Sequence, residues 1–302
     1  MEGRRELCSE LSLLHDEPLS ATASRVDHWL LVEYRGAWSR DVLAASLLSS
    51  AVKEHVREQL ARLANSRLVF IRRPERRSRR TYAVYVVRSL ADDRRVRALE
   101  CESYEDLLSF DFAAILEADG VRTSRERPLL LVCTHGKRDR CCAKFGQPLY
   151  DELRTRADSV WQSTHVGGDR FAANVVFLPE GLYFGRLGRR DAAPLVDDYL
   201  AGRIPSPHYR GRSCYPFPVQ AAERAVRSTA DAEGIDDLEL VEARPTGEGR
   251  WRVTFLVRES LDEHEVDVAA SLGEPTRLTC EAITPRPPRV YSAIAHRVRE
   301  RR

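Results

Sequence analysis

The chain has 302 residues, long enough for two or three compact cores, and its apolar and charged fractions of 43% and 31% exclude wholesale disorder. Its 48 basic and 46 acidic residues leave a net charge of +2, which argues against a nucleic-acid binder. No apolar run reaches the roughly 18–20 residues of a membrane span, and MEGRRELCSE lacks a signal-like apolar stretch, so no membrane partner and a cytoplasmic location are expected.

Trp29-Leu30-Leu31-Val32 predicts a short buried strand, and Leu43, Leu47, Val52, Val56, Leu60 and Leu63 recur at helical spacing. Leu68-Val69-Phe70-Ile71 and residues 82–87 read as a strand pair around a loop carrying Arg72, Arg73, Arg76, Arg77, Arg79 and Arg80. That run reads as a solvated hairpin loop or as a docking face for an acidic redox partner. With a helix over 104–117 closing the pattern, residues 1–118 are expected to form an α/β domain.

Residues 119–204 repeat this grammar. Leu129-Leu130-Leu131-Val132 predicts a strand ending at Cys133, followed by a helix from about Cys142 with Phe145, Leu149 and Leu153 on one face. Residues 160–165 suggest a second strand, then the loop Val166-Gly167-Gly168-Asp169. Residues 175–178 and 182–184 flank Pro179-Glu180-Gly181 as a hairpin, and a last helix runs from Asp191 to Gly202. The two segments have the pattern of diverged copies of one β-α-β-β-α unit. Pro205, Pro207, Pro216 and Pro218 mark 203–218 as a linker. Beyond it, 216–302 reads as a small α+β domain, with a helix over 219–233 and a hairpin from 238–243 and 251–257.

The seven cysteines are odd in number and too few for a disulfide scaffold. Cys8, Cys101, Cys214 and Cys280 stand alone and suit buried small hydrophobes. Cys133, Cys141 and Cys142 cluster, which in a reducing compartment points to metal or redox chemistry. Cys133 ends a strand and Cys142 begins a helix, whose N-terminus favours the thiolate. Thiolates select zinc and iron–sulfur centres over hard cations. His165 and Asp169 face a site from one short loop, where Gly167 and Gly168 let the backbone approach a bulky inorganic centre. His135 is placed to donate to a sulfur of a bound cluster, and Arg170 and Asn174 to fix the loop.

These residues, with VWQSTHVGGDRFAANVVFLPEGLYFGRL and the upstream EPLSATASRVDHWLLVEYRGAW, resemble the sucrase/ferredoxin-like family, most strongly over 120–202. The resemblance implies an α/β (α+β) chain with a thioredoxin-like ferredoxin domain at its centre and a [2Fe–2S] cluster. Thioredoxin-like ferredoxins supply two cysteines from a first loop and a Cys-x3-Cys pair from a second, where fungal members of this family place His-x3-His. Carried over, Cys133 and Cys142 match the first pair and His165 the first histidine. Asp169 stands where the second histidine would, a harder donor. The fourth ligand is then Asp169 or the neighbouring Cys141, or no cluster is held.

The expected function is an electron carrier serving a redox partner, with histidine ligation raising the potential of the cluster, rather than a catalyst with its own substrate. One alternative is a structural zinc held by Cys133, Cys142, His165 and Asp169. The other is a thiol–disulfide protein with Cys142 attacking and Cys133 or Cys141 resolving, against which the missing Cys-x-x-Cys counts. Glycoside hydrolysis needs two carboxylates flanking a sugar cleft, and no acidic pair sits in such a motif.

Overall fold

The computed structural model describes residues 6–76, 78–118, 128–204 and 206–300. Arg77 of the arginine run, Pro205 of the expected linker and the expected start of the second domain at 119 lie outside the described residues. In chain order the elements are α1 (Cys8–Leu14), β1 (His28–Glu33), α2 (Ser50–Ala61), β2 (Ser66–Arg72), β3 (Tyr82–Ser89), β4 (Arg94–Cys101) and α3 (Phe112–Glu117). There follow β5 (Leu129–Cys133), α4 (Arg140–Leu153), β6 (Val160–Ser163), β7 (Val175–Leu178), β8 (Leu182–Phe184) and α5 (Ala192–Leu200). The chain continues with β9 (Tyr209–Arg212), α6 (Phe217–Ala230), β10 (Leu238–Gly247), β11 (Arg250–Val257), β12 (Glu263–Leu272) and β13 (Arg289–Arg299).

Strands β1 to β9 form one nine-stranded sheet in the order β4-β3-β1-β2-β6-β5-β7-β8-β9. β1 runs parallel to β2 and antiparallel to β3, which pairs antiparallel with β4. β5, β6, β7 and β8 repeat that connectivity strand for strand. The two sets meet where β2 and β6 pair antiparallel through Ile71↔Ser163 and Arg72↔Gln162. The result is a mixed α/β fold consistent with a thioredoxin-like core plus flanking elements.

β5 and its neighbours are buried on both faces, which is why they read as continuous apolar runs rather than alternating ones. On one face Leu130, Val160 and Phe177 pack beneath Leu149, Leu153, Leu195 and Tyr199 of α4 and α5. On the other, Leu131, Trp161, Val176 and Tyr183 meet Ala23, Trp29 and Val166. A second, four-stranded sheet, β10-β11-β12-β13, packs against α6 through Val219, Ala222 and Val226. Among the described residues no helix is long and apolar enough to cross a membrane.

Three expectations are corrected, and β4 is a strand that the sequence reading does not predict. β2 and β3 do not pair with each other; β1 lies between them, so the arginine run is part of a crossover rather than a hairpin tip. Within it Arg72 stacks on Trp38 at 3.8 Å, Arg73 donates to Asp158 O at 2.5 Å and Arg76 pairs with Glu33 at 2.8 Å. Helix α2 starts at Ser50, capped by Ser49, well after the periodic Leu43 and Leu47. β4 alternates arginine with apolar residues, and that polarity hides it from a search for apolar runs. Residues 209–212 of the expected linker are the ninth strand, because the arginines that make it look solvent-exposed are buried: Arg210 and Arg212 are 1% and 3% exposed.

Candidate metal centre

β5 ends at Cys133, whose amide donates to Asn174 O at 3.1 Å. The Asp139 carboxylate caps α4 by accepting from Cys141 N at 2.9 Å, which fixes Cys142 in the first helical turn beside that strand end. Close approach of helix to strand depends on Gly146, where a Cβ would lie 2.0 Å from Cys133 O. β6 ends at Ser163, and the loop beyond it carries His165 and then Asp169, which opens a single 3-10 turn, Asp169–Phe171.

Cys133, Cys142 and His165 each offer a ligand atom, and these atoms all lie within 4.8 Å of one another. Asp169 stands beside this set, its Oδ1 2.9 Å from His165 Nδ1 and 3.5 Å from Cys142 Sγ. The close Nδ1···Oδ1 approach is not aligned as a hydrogen bond, and Nδ1 has no hydrogen-bond partner among the described residues.

The Cys142 thiol donates toward Cys133 and, with His165, holds the Cys133 thiol well below its ordinary range despite full burial. Cys142 is correspondingly raised, by that same interaction, by burial and by the charges of Cys133 and Asp169. Burial opposes a charge on His165, but Asp169 and Cys133 outweigh it and raise its pKa to about 9. Burial likewise opposes ionisation of Asp169, and His165 and Cys142 overcome it, so its pKa is lowered. These shifts favour the charged forms of Cys133, His165 and Asp169 over the neutral ones, and a bound cation would compete with the protons on Cys142 and His165.

The remaining candidates distribute differently from expectation. Cys141 is not brought to this site: successive helical residues point about 100° apart, and its sulfur faces Cys8 at 3.5 Å and Cys280 at 3.3 Å. His135 reaches the Cys133 sulfur through its backbone N–H, not its ring, which sits edge-on to Trp38. Arg170 pairs with Glu17 at 2.6 Å rather than with Asp169. Asn174 does fix the loop, donating to Gly168 O at 2.8 Å and accepting from Arg210 Nη1 at 2.8 Å.

Gly167 and Gly168 have φ of +106° and +80°, and side chains there would strike Ser24 Oγ at 2.1 Å and Arg210 Nη2 at 2.3 Å. They fit the loop against protein, which corrects the expectation that they admit an inorganic centre. Arg210, which also donates to Gly167 O at 3.0 Å and Thr22 O at 2.5 Å, is the positioning residue that sequence reading misses.

Residues 19–211 match the sucrase/ferredoxin-like family, well over half of the chain. The chain belongs to this family. Curated relatives include two yeast proteins, each named altered inheritance of mitochondria protein 32. The one from Meyerozyma guilliermondii is 36% identical over 95 residues, covering 28% of this chain and 34% of its own length. The one from Debaryomyces hansenii is 30% identical over 97 residues, covering 28% of this chain and 36% of its own. This sucrase/ferredoxin-like chain therefore spans about a third of those relatives. No solved structure matches it.

Proposed function

We propose that this sucrase/ferredoxin-like chain is a metalloprotein that holds an ion through Cys133, Cys142, His165 and Asp169. The convergence of the first three donors within 4.8 Å carries the reading. An ion with bonds of about 2.0–2.3 Å requires its ligands to lie within about 4.6 Å of one another, and this set is nearly there. His165 Nδ1 and Asp169 Oδ1 approach without aiming a hydrogen bond at each other, as two ligands of one ion do. Zinc suits this mixture of sulfur, nitrogen and oxygen, and with four protein ligands it would supply a closed structural centre. Cys133 arrives as the thiolate, while Cys142 and His165 release protons on binding.

Family membership favours a second reading, a [2Fe–2S] cluster at Cys133, Cys142 and His165 in a cytoplasmic electron carrier with a protein redox partner. Such a cluster would supply one-electron transfer, and imidazole ligation would link it to protonation of His165. Two thioredoxin-like units, the second holding the centre, belong to both readings.

Zinc, iron and acid-labile sulfide, measured per chain in protein purified without oxygen, decide between them. Loss of one zinc per chain in Cys133→Ser, without sulfide, is expected for the first reading. Iron and sulfide in equal amounts would replace it by the second. Protein that holds neither at this site, even after reconstitution, would refute both. Asp169→Asn is expected to weaken retention and Asp169→His to preserve it.

A further inference from the structure

Cys141 directs its sulfur away from Cys142, into a second cluster built from segments far apart in the chain. Cys8 comes from α1, Asp139 and Cys141 from the start of α4, and Cys280 from the connection 273–288 between β12 and β13. The sulfurs are 3.5 Å apart for Cys8 and Cys141, 3.3 Å for Cys141 and Cys280, and 3.7 Å for Cys280 and Cys8. Both Asp139 oxygens lie 3.7 Å from the Cys8 sulfur. One ligand atom from each of the four residues falls within 4.8 Å of all the others, and every one of these residues is buried.

We propose that Cys8, Cys141 and Cys280, with Asp139, form a second metal site that takes a single zinc ion. Zinc–sulfur bonds of about 2.3 Å set the edge of a tetrahedron near 3.8 Å, so the three thiols stand almost at the spacing the ion imposes. Three sulfurs and one oxygen suit zinc better than magnesium or calcium, which take all-oxygen shells. Asp139 is held in place from two sides, accepting from Cys141 N at 2.9 Å and from Cys280 N at 2.7 Å. Those bonds orient the carboxylate beside the sulfurs.

Ser9 Oγ, 3.2 Å from the Cys141 sulfur, donates to it and stabilises the thiolate a metal needs. Leu7, Ala172 and Phe145 surround the cluster and keep water from competing for the ion. Binding exchanges thiol protons for the cation and clips three segments together across sequence separations of 133 and 139 residues.

The test reads zinc directly. Full-length protein is purified from medium without added zinc, and its zinc content and zinc-edge X-ray absorption are recorded. The wild-type chain is expected to carry zinc whose average first shell holds more than two sulfurs, because among the described residues this cluster alone offers three to one ion. An average of two or fewer, zinc-free protein with three free thiols here, or a disulfide between any two of them would overturn the site.

Cys280→Ser is expected to lose one zinc per chain, and Cys280→His, which restores a donor, to regain it. Cys133→Ser, which removes a ligand of the first centre, is expected to leave this zinc in place. Failure of the first centre therefore leaves this result standing. Zinc content unchanged in Cys280→Ser would refute the assignment without reference to that centre.

Discussion

The two halves of the large sheet share one connectivity but differ at the place where β1 and β5 end. β5 ends at Cys133, and the third residue of the following helix is Cys142. At the corresponding places β1 ends at Glu33 and α2 carries Val52, both buried. Glu33 is satisfied by protein, accepting from Ala83 N at 2.9 Å and pairing with Arg76 at 2.8 Å. In the second half the equivalent space holds sulfur and imidazole that protein satisfies only in part. A strand end beside a helix start is thus a neutral scaffold, and two side chains decide whether it becomes a closed ion pair or a cluster of candidate metal ligands.

The strongest way to break the contrast is to give the second half the residue of the first. Cys142→Val is expected to abolish metal at the first centre while circular dichroism shows the fold retained. Metal content unchanged in that variant would remove the basis of the comparison. The reverse half offers the next largest effect. Glu33→Ala leaves Arg76 facing a buried gap and is expected to lower stability by about 3 kcal/mol in denaturant titration, with metal content unchanged.

Gly146→Ala is expected to cost about 1–3 kcal/mol by overpacking α4 against Cys133, and to weaken metal retention as well. A stability loss with metal held as firmly as in wild type would show that α4 can retreat without moving Cys142.

The smallest effect lies outside both halves. His264 Nδ1 and His296 Nε2 are 3.0 Å apart in the four-stranded sheet. Burial, and for His264 also the proximity of His296, hold both below the ordinary histidine value of 6.5. The unfolded chain therefore takes up protons first, so their contribution is complete above that pH and is lost as pH falls through and below it. Thermal melts from pH 7.5 down to about 5 should show a decline that His296→Gln reduces; an unchanged decline would assign it to other groups.

Much of this was open to sequence reading because it is local. Residues 129–132 are apolar because both faces of β5 are buried, and Cys133 and Cys142 sit where a strand–loop–helix unit must bring its ends together. His165 follows β6, which lies parallel beside β5, so its approach also follows from the connectivity. What escapes is what depends on long-range packing. Nothing local relates Cys8 or Cys280 to Cys141, so each reads from sequence as an isolated buried residue. Arg210 escapes for the opposite reason, since an arginine between prolines reads as solvent-exposed when its guanidinium is in fact the buried peg of the loop that carries His165 and Asp169.

The joint between the halves has a further consequence. β2 and β6 occupy the same position in their respective units, and they meet antiparallel, edge to like edge. Phe70 N donates to Thr164 Oγ1 at 2.9 Å and Thr164 N to Phe70 O at 2.8 Å, continuing the contact past the two paired residues. This is the isologous contact of a two-fold dimer, written into one polypeptide. Two identical protomers must carry the same residue on both sides of such an axis. A single chain is released from that symmetry, so one protomer-like half can keep its cysteines while the other gives its strand end to an arginine clasp.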